Sequence, residues 1–252
     1  MILFYFSATG NSKFVAELFC KNMDTACYSI EENTDFTQLI NSDGIIGFCY
    51  PIYGSRVPRI MREFAAEHID SLKGKKLIIF CTQMFFSGDG ARAFIDVFPR
   101  GSVNVIYAEH FPMPNNVCNL FLTPLPCEKR VRKYMVQAEK RMQVACENIK
   151  NGTIRKRGFN PVSRALGLIQ GALLPGIEKR AKSKVWIDDD CDQCGVCVSL
   201  CPVRNFECEN GLVTTKNNCM MCYRCINKCP KKAISVFLRG KVKTQYAGVY
   251  FT

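Results

Sequence analysis

MILFYFSATGNSKFVAELF, residues 1–19, divides into three parts. Met1–Phe6 is short and wholly apolar, the pattern of a strand buried on both faces of a parallel sheet. Ser7–Ser12 is a run of small and hydroxyl-bearing residues. From Asn11 onward Phe14, Val15, Leu18 and Phe19 recur at helical spacing. A strand, a small-residue turn and a helix in succession make the first unit of an open α/β sheet. Its turn gathers backbone N–H groups at a helix N-terminus, where an anion is favoured. The turn lacks both the Lys-Ser/Thr of an ATP-binding loop and the G-x-G-x-x-G of a dinucleotide fold, so ATP hydrolysis and NAD are disfavoured. A short neutral loop suits a terminal phosphomonoester.

The alternation continues outward. Thr25–Ile30, Asp43–Tyr50, Lys75–Cys81 and Val103–Glu109 are further strand candidates, while Val57–Ile69, Gly90–Val97 and Glu128–Ile149 read as helices. This predicts a doubly wound, five-stranded parallel sheet over residues 1–150. Residues 151–184 break the pattern: they contain Pro161 and Pro175 and carry eight Lys and Arg against one acid, Glu178. They read as a basic linker with one short helix through SRALGLIQGALL. Most of the chain's net charge of +12 therefore sits in one segment.

Residues 185–252 are dominated by cysteine. C-x-x-C-x-x-C-x-x-x-C-P occurs twice, as Cys191, Cys194, Cys197, Cys201, Pro202 and, 28 positions on, as Cys219, Cys222, Cys225, Cys229, Pro230. A chain of 252 residues with 16 cysteines and no secretion signal points to metal rather than disulfides. Thiolates at every third residue reach three corners of a cubane, and a proline after the fourth turns the chain away. Zinc sites instead pair C-x-x-C units across a longer loop. The other thiols, Cys20, Cys27, Cys49, Cys81, Cys118, Cys127 and Cys146, have no ligand spacing, and several sit inside apolar strands, where free cysteine is a common core residue; Cys208, outside both runs, reads as a small buried residue or a free thiol.

The cysteine runs resemble the bacterial two-cluster ferredoxins, whose fourth cysteine in each run serves the other cluster. Carried over, the resemblance implies one 4Fe-4S cluster on Cys191, Cys194, Cys197 and Cys229, and a second on Cys219, Cys222, Cys225 and Cys201. Residues 1–150 resemble a flavodoxin: Tyr5, Ser7, Gly10, Ser12 and Ala16 fill that family's pattern, with Ser12 where threonine is usual. The resemblance implies strand order 2-1-3-4-5 and FMN, with its phosphate at Ser7, Thr9, Gly10, Asn11 and Ser12. It also implies a ring held by two loops, through Pro51, Tyr53 and Gly54 in one and Thr82, Phe85 or Phe86, Ser87 and Gly88 in the other. Tyr53 is the expected stacking aromatic. Arg56 and Arg59, just after the first ring loop, are expected near the flavin. The whole chain thus resembles a flavodoxin–ferredoxin fusion, a flavodoxin-like α/β domain followed by a small α+β ferredoxin domain.

That resemblance implies electron transfer between the clusters and FMN. Two rivals are a flavin-dependent reductase fed by the clusters, with Phe111–Pro126 as a pocket wall, and an iron–sulfur scaffold or sensor with an empty flavodoxin domain. No catalytic residues stand out; His68 reads as a surface or capping residue, and His110, after the fifth strand in a proline-rich stretch, reads as structural, with a place beside the flavin as the lesser alternative. The expected partner is a redox protein, acidic if it docks on residues 151–184. Contact of that segment with a membrane surface is the alternative. No basic-aromatic motif points to nucleic acid. No apolar run reaches the roughly 20 residues of a membrane span. Ser7, Thr9, Gly10 and Asn11 interrupt the opening apolar run too early for a signal peptide, so the expected location is the cytoplasm.

Overall fold

The computed structural model describes residues 1–53, 56–84, 88–119, 124–172 and 174–249. Strands β1 (Ile2–Tyr5), β2 (Ala26–Ser29), β3 (Ile45–Pro51), β4 (Lys76–Gln83), β5 (Asn104–Pro112) and β6 (Arg155–Lys156) form one parallel sheet in the order β2-β1-β3-β4-β5-β6. Successive side chains of a strand point to opposite faces. Ile2, Phe4 and Phe6 therefore enter one core, with Phe48, Phe64 and Phe94. Leu3 and Tyr5 enter the other, with Phe19, Phe80 and Met142. The first core is covered by α2 (Phe36–Asn41), α3 (Arg59–Glu67), α4 (Ile69–Leu72) and a 3-10 turn at Arg92–Val97. The second is covered by α1 (Asn11–Met23) and α5 (Glu128–Lys150). Two apolar faces on one parallel sheet make the doubly wound flavodoxin-like architecture.

The sheet has six strands where five were expected. The extra strand comes from the segment read as a linker: Arg155 and Lys156 pair with Tyr107 and Ala108. Charge holds it there. Glu109 is buried, and its carboxylate accepts Arg157 at 3.1 Å, Arg155 at 3.3 Å and Arg141 at 3.4 Å. A two-residue strand fixed by ion pairs leaves no apolar period to read. The same segment then forms two helices, α6 (Pro161–Ala172) and α7 (Leu174–Ala181), where one was expected.

His110 lies in this buried corner. Its Nε2 accepts the Ala91 N–H at 3.4 Å, and a Cβ at Gly158 would come within 3.0 Å of the same atom. Burial first, then Arg157 and Arg141, lower its pKa from 6.5 to about 4. The folded state keeps this imidazole neutral, while the unfolded chain takes up a proton below pH 6.5. Its contribution is thus complete above pH 6.5 and is lost as pH falls towards 4, by about 3 kcal/mol in all. Denaturant unfolding at stepped pH should show wild type losing that much more than His110→Gln. Equal losses would place the acid sensitivity elsewhere.

The C-terminal part contains β7 (Val185–Ile187), α8 (Val196–Leu200), β8 (Phe206–Glu209), β9 (Leu212–Thr215), α9 (Arg224–Lys228) and β10 (Ile234–Val236). β7 and β10 pair antiparallel, as do β8 and β9. The sequence repeat is also a repeat of backbone conformation. Gln193, Gly195 and Arg204 have φ of 59°, 72° and 49°, and their counterparts Met221, Tyr223 and Lys232 have 57°, 62° and 55°. Left-handed backbone at a tyrosine costs on the order of 1 kcal/mol. The first copy has glycine at that place, and the second adopts the same turn without one.

Candidate functional site

Two small enclosed spaces in the C-terminal part sort the eight repeat cysteines. One is lined by Cys191, Cys194, Cys197 and Cys229, the other by Cys201, Cys219, Cys222 and Cys225. In each cage three thiols come from one run and the fourth from the other. Asn205 N–H donates to the Cys201 sulfur at 3.2 Å, and Ala233 N–H donates to the Cys229 sulfur at 3.3 Å, at equivalent places in the two copies. Met221 N–H donates to Cys219 at 3.3 Å. Burial pushes the Cys197 and Cys219 thiols up to about 11 and Cys222 to about 12. Bound iron must therefore displace protons from these sulfurs. Among the described residues no three His, Cys, Asp or Glu side chains converge to hold a single metal ion.

The cages differ in depth. Cys194 is exposed and Cys191 half-buried in the first, whereas Cys219, Cys222 and Cys225 are all buried in the second. Met220 and Cys222 belong to the same apolar core as Phe4 and Tyr50 of the sheet.

The Ser7–Ser12 turn has the geometry of an anion loop. Gly10 is left-handed at φ 101°, its N–H donates to Ser7 Oγ at 3.2 Å, and α1 begins with no capping side chain and no acid in its first turn. Several of the expected phosphate ligands are engaged within the protein. Ser12 Oγ lies 2.8 Å from Thr82 Oγ1, and Thr9 Oγ1 accepts from Asn116 at 2.9 Å. Asn11 donates to the Pro114 carbonyl at 2.9 Å and accepts from the Tyr246 hydroxyl at 2.7 Å.

In the ring loops, Pro51 pairs with Thr82 across β3 and β4. Tyr53 and Arg56 exchange backbone hydrogen bonds at 3.0 and 3.1 Å. The Tyr53 hydroxyl is buried with no partner among the described residues, a polar atom that a bound group would satisfy. Burial first, then Cys222, push this phenol well above its ordinary pKa, and Tyr53 packs against the core that also contains Met220 and Cys222 of the inner cage. Gly54, Phe85, Phe86 and Ser87 lie outside the described residues. Gly88 turns towards α6, where an added Cβ would stand 2.6 Å from the Gly167 nitrogen. Both arginines after the loop bond to later parts of the chain. Arg56 donates twice to the Gly171 carbonyl, at 3.1 and 2.9 Å, and Arg59 donates to Asn218 at 3.0 and 2.9 Å.

Sequence reasoning missed the residues that join the two halves. The Arg224 guanidinium donates to the carbonyls of Ser7 at 2.9 Å, Ala8 at 3.1 Å and Leu200 at 3.0 Å, pairs with Glu31 at 2.6 Å, and lies over the Phe6 ring. Asn227 donates to the Asn116 carbonyl at 2.8 Å and accepts the Tyr246 N–H at 2.7 Å. The signal was present in the difference between the two copies. Where the first has Asp192, Val196 and Ser199, the second has Met220, Arg224 and Asn227. An apolar residue and two strong hydrogen-bonding side chains mark the copy that faces the rest of the protein.

A doubly wound parallel sheet with an anion loop, followed by two four-thiol cages, defines an electron-transfer protein of the flavodoxin–ferredoxin class. A family model described as a flavodoxin domain matches residues 2–165, and one described as a 4Fe-4S binding domain matches residues 188–204 and 216–235. The chain belongs to the flavodoxin domain family and carries a 4Fe-4S binding domain behind it. Among solved structures, it is similar to Megasphaera elsdenii flavodoxin (18% identity, 56% of this chain and 99% of the other, TM-score 0.38). It is also similar to a flavodoxin, WrbA-like protein from Agrobacterium tumefaciens (12%, 60% and 97%, TM-score 0.41). No curated protein matches the chain. Among the described residues no helix is long and apolar enough to cross a membrane.

Proposed function

We propose that this chain is an electron carrier passing single electrons between two 4Fe-4S clusters and FMN. One observation carries the reading: two four-thiol cages of crossed origin, one reaching the surface and the other packed beside Tyr53. When bound, a cluster supplies one-electron chemistry and FMN takes up one electron or two. The chain's own contribution is placement and exclusion of water. Cys191, Cys194, Cys197 and Cys229 would hold the outer cluster, and Cys201, Cys219, Cys222 and Cys225 the inner one. The uncapped start of α1, with Ser7, Thr9, Gly10, Asn11 and Ser12, would hold the FMN phosphate against the positive end of the helix. Thr82 positions Ser12, while Pro51 and Tyr53 form the ring side nearest the inner cage. Met220 and Cys222, packed into the sheet's core, keep solvent out between cage and loop. A redox protein would meet the outer cage, where Cys194 is exposed.

Anaerobic purification followed by iron, sulfide and flavin analysis of one sample tests the reading. About eight irons, about eight sulfides and one FMN per chain are expected. Zinc in place of iron, or no flavin released on denaturation, overturns it.

A further inference from the structure

α6 is built the opposite way from an ordinary surface helix. Its inward seam is Ser163, Gly167 and Gly171, residues four apart that lie on one stripe. Added Cβ atoms show how close the approach is: at Gly167 one would stand 1.7 Å from Asp89 Oδ1, and at Gly171 3.8 Å from Arg56 Nε. The aliphatic residues face away from the protein. Val162 is 69%, Leu168 60% and Ile169 68% exposed, and Ala165 and Ala172 are exposed beside them. At about 100° per residue these five fall on the half of the helix opposite the glycine seam, while Arg164 and Gln170 fall towards its flanks. Monomeric soluble proteins rarely expose such a contiguous aliphatic patch without a function for it.

We propose that this face of α6 docks in the plane of an anionic lipid surface. Three features favour lipid over protein. The outward face holds no Trp, Tyr or Phe, the anchors in which protein interfaces are rich. The surrounding segment, residues 151–184, carries eight basic residues against Glu178 alone. Lys156, Arg164, Lys179 and Arg180 are exposed and take part in no ion pair among the described residues. An apolar outward helix face in a segment with an excess of exposed basic side chains suits a helix that lies in the headgroup region of anionic lipid. The glycine seam then has a purpose: small residues bind the helix to its own protein and leave the large ones for the bilayer.

Co-sedimentation of the full chain with phosphatidylcholine vesicles, with or without phosphatidylglycerol, tests this. Binding is expected only with phosphatidylglycerol and should weaken as salt rises. Leu168→Gln with Ile169→Gln should weaken it at least about tenfold, because two aliphatic side chains no longer leave water. Lys179→Gln with Arg180→Gln should weaken it about 30-fold, since each basic residue near an anionic surface contributes about 1 kcal/mol. These side chains are exposed, so the visible spectrum and unfolding midpoint should match wild type. Absence of binding to either vesicle overturns the proposal. So does self-association, or capture of an acidic protein in preference to lipid, that the Leu168/Ile169 variant abolishes.

Discussion

Cys201→Ala is expected to empty the inner cage and spare the outer one, lowering iron from about eight to about four per chain and sulfide in parallel. Along the sequence Cys201 closes the first cysteine run, so a reading by proximity would assign it to Cys191, Cys194 and Cys197. The fold instead places it with Cys219, Cys222 and Cys225. A pair of double variants separates the assignments. Under crossed ligation Cys194→Ala with Cys201→Ala disables both cages and leaves almost no iron, while Cys194→Ala with Cys229→Ala disables only the outer cage and leaves about half. Uncrossed ligation reverses the two results. The inner loss should also be the more damaging to the fold. A unit of this size has a small apolar core and depends on its metal–thiolate bonds. Met220 and Cys222 extend into the sheet's core, so collapse of that cage disturbs both halves. Limited proteolysis should therefore cut Cys201→Ala faster than Cys194→Ala. Matching iron loss with equal protease resistance would mean that depth has no bearing on stability.

What could be read from sequence follows from which forces leave a pattern. The sheet was legible because a buried parallel strand must be apolar throughout, and Met1–Phe6, Ile45–Tyr50 and Leu77–Cys81 are. The cages were legible because thiolate spacing is fixed by the metal group and repeats 28 residues on. β6 was not, because a carboxylate and three arginines place it. α6 and α7 read as linker because glycines, not aliphatic residues, form the inward seam of α6, which inverts the usual rule. α2 and the β8–β9 hairpin were missed because their elements span only six and four residues, too few for a period to register. Many of the polar contacts between the halves are hydrogen bonds to backbone carbonyls, and carbonyls are the same in every sequence. Only the contrast between the two cysteine copies carries a trace of it.

Arg224 gathers most of that interface into one side chain, and Arg224→Met should lower stability by about 2–4 kcal/mol. Removing one member of a buried ion pair typically costs about 3–5 kcal/mol. Arg224 and Glu31 retain 14% and 25% side-chain exposure, which argues for the lower part of that range. Methionine keeps the apolar stem over Phe6 while leaving Glu31 and the carbonyls of Ser7, Ala8 and Leu200 to find water. Glu31→Gln should cost less, because an amide can still accept from the guanidinium. The double variant should be nearly as stable as Arg224→Met alone, since the arginine is the group that serves the other partners. A second consequence separates this residue from an ordinary stabilising contact. Arg224 stands between Cys222 and Cys225, and its side chain grips the backbone of the anion loop. Its hydrogen bonds thus tie the inner cage directly to the loop before α1. In Arg224→Met both cofactor sets should still assemble, but intramolecular electron transfer after flash reduction should slow several-fold and spread over several phases as the distance between the halves varies. Unchanged single-phase kinetics beside a lowered unfolding midpoint would reduce Arg224 to a structural contact.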